Sequence, residues 1–200
     1  MDLRDYIRIL HKNWMLIVAS TLIGVAFAAI GAIASTPRYD ATSELYVSVR
    51  SAGDGTTSDL VQGTSFARQA VTSYVSIANS SRVLQPVIDE LGLDVTPQQL
   101  AGRVSATSPL NTVLIEITAS DDDPAAAAAL ANAVGRSLSN IVVNELERPE
   151  GEGASPVNVQ TVQDAVAPAS PSSPNVPLNI ALGLLIGLGV GIGLASLRTV

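Results

Sequence analysis

Residues Pro168–Leu197, PASPSSPNVPLNIALGLLIGLGVGIGLASL, join a proline-rich lead to an uncharged apolar segment. Proline fixes φ and has no N–H, so the lead is expected to be stiff and extended rather than helical. After Pro177 the only clearly polar side chains up to Leu197 are Asn179 and Ser196. About 20 residues at about 1.5 Å each give about 30 Å of helix, enough to cross a bilayer core. The sequence therefore predicts a membrane-spanning helix over 177–197, and its stiff linker contains Pro168, Pro171, Pro174 and Pro177.

Small residues recur every four positions in this segment, at Gly183, Gly187 and Gly191. Residues four apart lie near one face of a helix, and small side chains there let another helix approach closely. The first apolar run has the same spacing at Gly24, Ala28 and Ala32. We interpret both sets as helix-packing faces. The alternative is that glycine is simply frequent in membrane helices.

The first apolar run, Trp14–Ile33, carries no charge and is also long enough to span a bilayer. It predicts a first membrane helix over 14–35, preceded by a short amphipathic N-terminus over 1–13. A cleaved signal peptide is the competing interpretation, because Ala32-Ile33-Ala34 fits an A-x-A cleavage site. The run is longer than the usual apolar core of a signal peptide, which favours the membrane helix.

Basic residues near the ends of the two apolar runs predict the topology. Cytoplasmic loops carry an excess of Lys and Arg close to membrane spans. Arg4, Arg8 and Lys12 precede the first apolar run, and Arg198 follows the second. Between the two runs, Arg38 is the basic residue close to a span. Both termini, including a short tail over 198–200, are therefore expected in the cytoplasm. Residues 36–176, with their proline-rich end at 168–177, are expected outside it.

The pattern between the two predicted spans predicts an α+β domain, with a small sheet, packed helices and one long helix. Apolar and polar residues alternate with period two in the predicted strands, and the predicted helices carry an apolar stripe at 3.6 spacing. The predicted strands are Arg38–Arg50, Arg103–Thr107, Thr112–Ser120 and Val157–Ala167, and the main helices are Ser58–Asn79, a shorter one beginning near Ser81, and Pro124–Leu146.

Local signals mark several helix ends. Thr96 and Gln99 fit a capping box around Pro97, and Gly92 can end the preceding helix. Pro86, inside that preceding helix, predicts a kink or a late start. Asp123 can cap the long helix. The acidic run Asp121-Asp122-Asp123 could instead bind Ca²⁺ through its three adjacent carboxylates, but no suitable spacing of oxygen ligands follows it.

The composition contains few of the residue types that catalytic sites use. The chain has no Cys and one His, His11, and its formal net charge is −7. No nucleophile–base pair, metal cluster or carboxylate pair stands out, and Glu116, Glu145 and Glu147 are expected to face solvent. No basic face suits nucleic acid. The sequence therefore predicts a protein that is not an enzyme and uses no cofactor, metal or nucleic acid.

The assembled pattern resembles the chain-length determinant family, the polysaccharide co-polymerases. The matching pieces, in order, are MDLRDYIRILHKNW, RYDATSELYVS, TSYVSIANSSRVLQPVIDELGL, TVLIEITASDDDPAAAAALANAV and the lead PASPSSPNVPLN. The resemblance implies an oligomeric scaffold in the cell membrane that regulates the length, polymerisation or export of a surface polysaccharide.

The resemblance also implies partners, namely membrane lipid, further copies of the chain, a polysaccharide polymerase or exporter, and a cytoplasmic tyrosine kinase. The kinase can be a separate protein or can be fused after the second span. The phosphate-cradling motif of such a kinase is not found in these 200 residues. A different class of function fits the same layout: a two-span sensor whose outer domain binds a ligand and signals across the membrane.

Overall fold

The computed structural model describes residues 11–49, 57–147, 155 and 157–199, and for residues 57–62, 64 and 199 it describes the backbone alone. Most of the predicted amphipathic N-terminus and of the loop after Arg148 lies outside the described residues. The elements, in chain order, are α1 Trp14–Ala34, β1 Tyr39–Val49, α2 Thr57–Ile77, α3 Ser81–Leu91, α4 Pro97–Ala101, β2 Val104–Thr107, β3 Leu114–Asp121, α5 Pro124–Ile141, a π-helical segment Val142–Leu146, β4 Val157–Gln163 and α6 Val176–Thr199.

The chain divides into two compact units. One is formed by the two ends, Met1–Pro37 and Ser172–Val200, and contains α1 packed against α6. The other, Arg38–Pro171, contains all four strands and the remaining helices. The small antiparallel sheet with packed helices confirms the α+β prediction for the central region.

The sheet has four strands in the order β2-β3-β1-β4, and every pair is antiparallel. Its centre is the β1–β3 pair, where Leu45 lies opposite Ile115. Burial alternates along β1, so that Ala41, Ser43, Leu45 and Val47 point into the core. The period-two pattern of the sequence therefore predicted the buried face of this strand correctly.

The core lies on one face of the sheet, beneath α5, α3 and α2. The predicted stripe of the long helix is buried throughout: Ala127, Leu130, Ala131, Val134, Leu138, Ile141 and Val142. The helix cap is also confirmed, because Asp123 Oδ1 accepts a hydrogen bond of 2.9 Å from Ala125 N. Asp121, a second member of the acidic run, pairs with Arg103.

Helix α3 corrects one prediction and confirms another. The helix begins at Ser81 and continues through Pro86 to Leu91, so the late start expected at Pro86 is wrong. Pro86 has no N–H to donate to the carbonyl of Arg82. Both residues are exposed, so water can donate a hydrogen bond to that carbonyl instead. Gly92 ends the helix with φ 62°, in the left-handed region that glycine adopts without strain.

The capping box at α4 is present as predicted. Thr96 Oγ1 accepts from Gln99 N at 3.3 Å, and Gln99 Oε1 accepts from Thr96 N at 2.9 Å. These two bonds satisfy donors that the first turn of a helix leaves without partners. Pro97 occupies the start of the helix, where its missing N–H costs nothing.

The long helix differs from the prediction in its last turn. The α-helical part ends at Ile141, and residues Val142–Leu146 form a π-helical turn. Glu147 N closes this turn by donating a hydrogen bond of 3.0 Å to the Val142 carbonyl. Glu145 pairs with Arg82, so the widened turn is tied to α3. The predicted apolar stripe ends at Val142, the one buried residue of this turn, so the stripe gives no information about the residues that follow.

The last strand is shorter than predicted. Strand β4 ends at Gln163 rather than Ala167. Beyond it, the side chain of Asn132 on α5 binds Ala165 twice, accepting from its N–H at 2.8 Å and donating to its carbonyl at 3.0 Å. The amide of Asn132 thus replaces the strand partner that Ala165 lacks.

Candidate functional site

The two predicted small-residue faces, one on α1 and one on α6, pack against each other within one copy of the chain. On α6, Gly183, Gly187 and Gly191 are buried, whereas their neighbours on other faces are exposed. Gly183 lies beside Gly24 and Ala28 of α1, and Gly187 lies beside Gly24. The structure therefore brings four of the six predicted packing residues together, and Gly191 meets a different part of α1.

The contact is between backbones. A β-carbon placed on Gly183 would lie 2.7 Å from the carbonyl oxygen of Gly24, and one on Gly187 would lie 2.7 Å from that of Ser20. Both separations are far below van der Waals contact, so no larger residue fits without parting the helices. Such close approach creates dispersion contacts between the two helices. These contacts hold helices together in lipid, where the hydrophobic effect does not drive them to associate.

The helices run antiparallel, because Gly183 meets Ala28 whereas Gly191 meets Ile17 near the start of α1. Three contact residues, Ile17, Ser20 and Thr21, were not predicted. Ala195 was also missed, although it continues the four-residue spacing of α6 and is fully buried. Extending that spacing by one step would have found Ala195.

Polar side chains within this helix pair bond to their own helix. Ser20 Oγ donates to the Ile17 carbonyl at 2.9 Å and Thr21 Oγ1 donates to the same carbonyl at 2.7 Å. On α6, Ser196 Oγ donates to the Ile192 carbonyl at 2.9 Å. These bonds satisfy hydroxyl groups that would otherwise be costly to place in a bilayer.

Ala32, the remaining predicted residue, is buried and lines a groove at the other end of the helix pair. The groove has a volume of about 510 Å³ and lies between the C-terminal half of α1 and the N-terminal half of α6. Its walls include Phe27, Gly31, Ala32, Asn179, Leu182 and Ile186.

The predicted proline linker is only partly outside the helix. Pro168, Pro171 and Pro174 precede α6 and are not helical. Pro177 is the correction, since α6 begins at Val176 and Pro177 lies in its first turn. Proline is tolerated there because the first N–H groups of a helix have no intrahelical partner.

Within the part of the chain that the structure describes, three helices are long and apolar enough to cross a membrane by length and composition: α1, α6 and the segment Pro124–Leu146. They differ in burial, because 61% of the apolar window in Pro124–Leu146 is buried inside the molecule, compared with 6% in α1 and 22% in α6. The apolar stripe of Pro124–Leu146 is the core face of the α+β unit. The helices whose apolar surface still requires an apolar environment are therefore α1 and α6.

The central unit has a polar groove of about 380 Å³ between the end of α5 and β4, lined by Arg136, Ser139, Asn140, Asn144, Asn158 and Thr161 among others. Several of these groups already have partners: Arg136 pairs with Glu90, and Ser139 Oγ donates to the Val159 carbonyl at 2.8 Å. Asn144 Nδ2 donates to Asn140 Oδ1 at 2.5 Å.

Tyr74 is a buried polar residue that the sequence analysis missed. It is 3% exposed, and its hydroxyl donates to Glu147 Oε1 at 2.8 Å. Burial, together with the hydrogen bond and charge of Glu147, raises the pKa of Tyr74 above its ordinary value of 10.0. Glu147 was expected to face solvent; it is instead half-buried and holds α2 against the end of the long helix. This interaction stabilises the fold, and the raised pKa keeps the Tyr74 hydroxyl protonated near neutral pH.

Among the described residues there is no group of three or more His, Cys, Asp or Glu that could hold a metal ion. Two of the ion pairs, Arg82 with Glu145 and Arg136 with Glu90, lie at the surface, whereas the pair of Arg103 with Asp121 is largely shielded from solvent. The arrangement of the described residues thus provides helix-packing surfaces and a polar groove.

Residues 1–91 match the family model described as "Chain length determinant protein" (Wzz). The capsular polysaccharide biosynthesis protein CpsC of Streptococcus pneumoniae is 28% identical over 190 residues, which cover 92% of this chain and 77% of the relative. The probable capsular polysaccharide biosynthesis protein YwqC of Bacillus subtilis is 26% identical, over 90% of this chain and 70% of the relative.

A solved structure of a full-length bacterial polysaccharide co-polymerase has the same fold, with a TM-score of 0.53 and 11% identity over 99% of this chain and 97% of that one. These findings agree with the resemblance found in the sequence: the first 91 residues match the chain-length determinant family, and capsular polysaccharide biosynthesis proteins are similar over most of the chain.

Proposed function

We propose that this chain is a non-catalytic membrane scaffold that regulates the chain length, polymerisation or export of a surface polysaccharide. The observation that carries the proposal is the match of residues 1–91 to the chain-length determinant family, with capsular polysaccharide biosynthesis proteins similar over most of the chain. The close backbone contact between α1 and α6 supports a scaffold, because small residues at such a contact hold two helices together.

In this proposal α1 and α6 cross the cell membrane, with both termini in the cytoplasm and residues 36–176 outside. The apolar exposed surfaces of both helices and the basic residues that flank them support this topology. The small-residue faces hold the two helices together. Reporter fusions at Ser51 and after Val200 test the arrangement, and a cytoplasmic signal at Ser51 would contradict it.

The scaffold would act as a homo-oligomer beside a polysaccharide polymerase or exporter. A cytoplasmic tyrosine kinase is a further partner in this proposal, either separate or fused beyond these residues. Since α1 already covers the glycine face of α6, copies would assemble through other surfaces unless α1 were displaced. Deleting the gene and sizing the surface polysaccharide tests the function; unchanged polymer length and amount would contradict it.

A two-span sensor is the second candidate, and the polar groove beside β4 is the observation that favours it. A sensor would bind a small polar ligand there and change a cytoplasmic output. Substituting Asn158 and Thr161 with Ala separates the two functions. Loss of a transcriptional or enzymatic response with normal polymer length would favour the sensor.

A further inference from the structure

The apolar groove between α1 and α6 has space that neither helix fills. Of the nine residues that line it, Asn179 is the only polar one. A β-carbon on Gly31 would meet nothing within 4 Å, so the absence of a side chain there keeps the groove open. The groove is continuous with the tight helix contact, because Gly24 and Gly183 both line it.

The surroundings of this groove determine what can fill it. Both helices are long and apolar enough to cross a membrane, so on the proposed topology the groove opens into lipid. An empty groove would forfeit dispersion contacts along its whole wall. From Asn179 to Ile186 the α6 wall is about 10 Å long at about 1.5 Å per residue, which suits part of an extended hydrocarbon chain.

Asn179 gives the groove a polar end. It is the fourth residue of α6, within one helical turn of Val176, where a spanning helix leaves the hydrocarbon layer. An amide at this position offers two donors, and a polar group at a membrane boundary is costly without a partner. The ester and phosphate oxygens of a phospholipid lie at this level and are acceptors.

We propose that this groove is a lipid-binding site that holds one acyl chain of a bilayer phospholipid, with an ester or phosphate oxygen accepting a hydrogen bond from the Asn179 amide. This inference rests on the membrane placement proposed above. The bound chain fills the space over Gly31 and becomes part of the packing between α1 and α6.

Photolabelling tests the site in the full chain reconstituted into phosphatidylglycerol vesicles that contain a phosphatidylglycerol with a diazirine on its acyl chain. Peptide mass spectrometry then gives the labelling of Phe27 and Leu182, which line the groove, relative to Leu194, which lies outside it; the Leu182 and Leu194 side chains are equally exposed, at 48%. Gly31→Leu should fill the groove and lower this ratio several-fold. Gly189→Leu is the matched control, because a β-carbon there also meets nothing within 4 Å.

Asn179→Leu should lower the number of lipids that the protein retains on transfer to mild detergent, measured by native mass spectrometry, whereas Asn179→Gln should retain them. Equal ratios in wild type and Gly31→Leu would overturn the proposal. So would a Gly31→Leu variant that changes the oligomeric state without changing labelling, because a helix of a second copy would then occupy the groove. Carbonate extraction separates these outcomes from failure of the membrane placement itself, which would release the wild-type chain.

Discussion

Replacing Gly187 with Ile should force α1 and α6 apart. The added β-carbon would lie 2.7 Å from the carbonyl oxygen of Ser20 and 2.8 Å from the α-carbon of Thr21. Carbon atoms in contact settle about 3.5–4.0 Å apart, so the backbones must separate by about 1 Å for the β-carbon alone. Overpacking of this kind costs about 1–3 kcal/mol.

The separation can be measured by electron paramagnetic resonance between two spin labels. The chain has no Cys, so labels attach only at engineered positions. Leu22→Cys on α1 and Leu185→Cys on α6 suit this purpose, because the native side chains are 65% and 63% exposed. In the Gly187→Ile background we expect a longer mean distance between the labels and a broader distribution.

The control for this experiment is the same substitution two residues further along the helix. Gly189→Ile makes the same chemical change where a β-carbon meets nothing within 4 Å. It should leave the distance distribution at its wild-type value. If Gly187→Ile and Gly189→Ile give the same distribution, the close backbone contact is wrong and the glycine spacing only reflects composition.

Three further substitutions test the α+β unit. Leu130→Asp places an unpaired charge where the side chain is 3% exposed and should unfold the unit, at a cost of about 4 kcal/mol or more; Ala129→Asp, at the exposed neighbouring position, should keep the thermal transition. Tyr74→Phe should lower the free energy of unfolding in urea by about 1.5–3 kcal/mol, because it removes a hydrogen bond to a carboxylate. Asp123→Ala should cost about 1 kcal/mol through loss of the helix cap, and Asp122→Ala should cost little.

Tyr74 also predicts how stability changes with pH. Its pKa is raised in the folded state, so the unfolded chain loses the phenolic proton first as pH rises. The folded state then binds more protons than the unfolded state, and the free energy of unfolding falls as pH rises above about 10. Tyr74→Phe should show a weaker decline than wild type between pH 9 and 11, by urea titration. Equal slopes would contradict the assignment.

Features set by local sequence were predictable. Period-two alternation predicted the buried face of β1, and helical spacing predicted the core stripe from Ala127 to Val142. Both signals depend only on where neighbouring side chains point in a regular element. The caps at Thr96 and Asp123 were predictable for a similar reason, because their partners lie within three residues.

Features that depend on distant residues were not predictable. Tyr74 was missed because Glu147, which accepts the hydrogen bond of its buried hydroxyl, lies 73 positions away along the chain. The early end of β4 depends on Asn132, which lies 33 positions from Ala165. The same limit applies to α1 and α6. The glycine spacing indicated a packing face, but only the fold shows that α1 occupies it.

The central claim is that the α+β unit, which lies between α1 and α6 in the sequence, sets the length of a surface polysaccharide. The most direct test is to replace the chromosomal gene with the Leu130→Asp or the Ala129→Asp form and to measure polymer length by gel electrophoresis. At matched membrane levels, the account predicts that Ala129→Asp keeps the wild-type length distribution and that Leu130→Asp shifts it to that of the deletion strain. A wild-type distribution in the Leu130→Asp strain, with the unit shown to be unfolded, would contradict the claim.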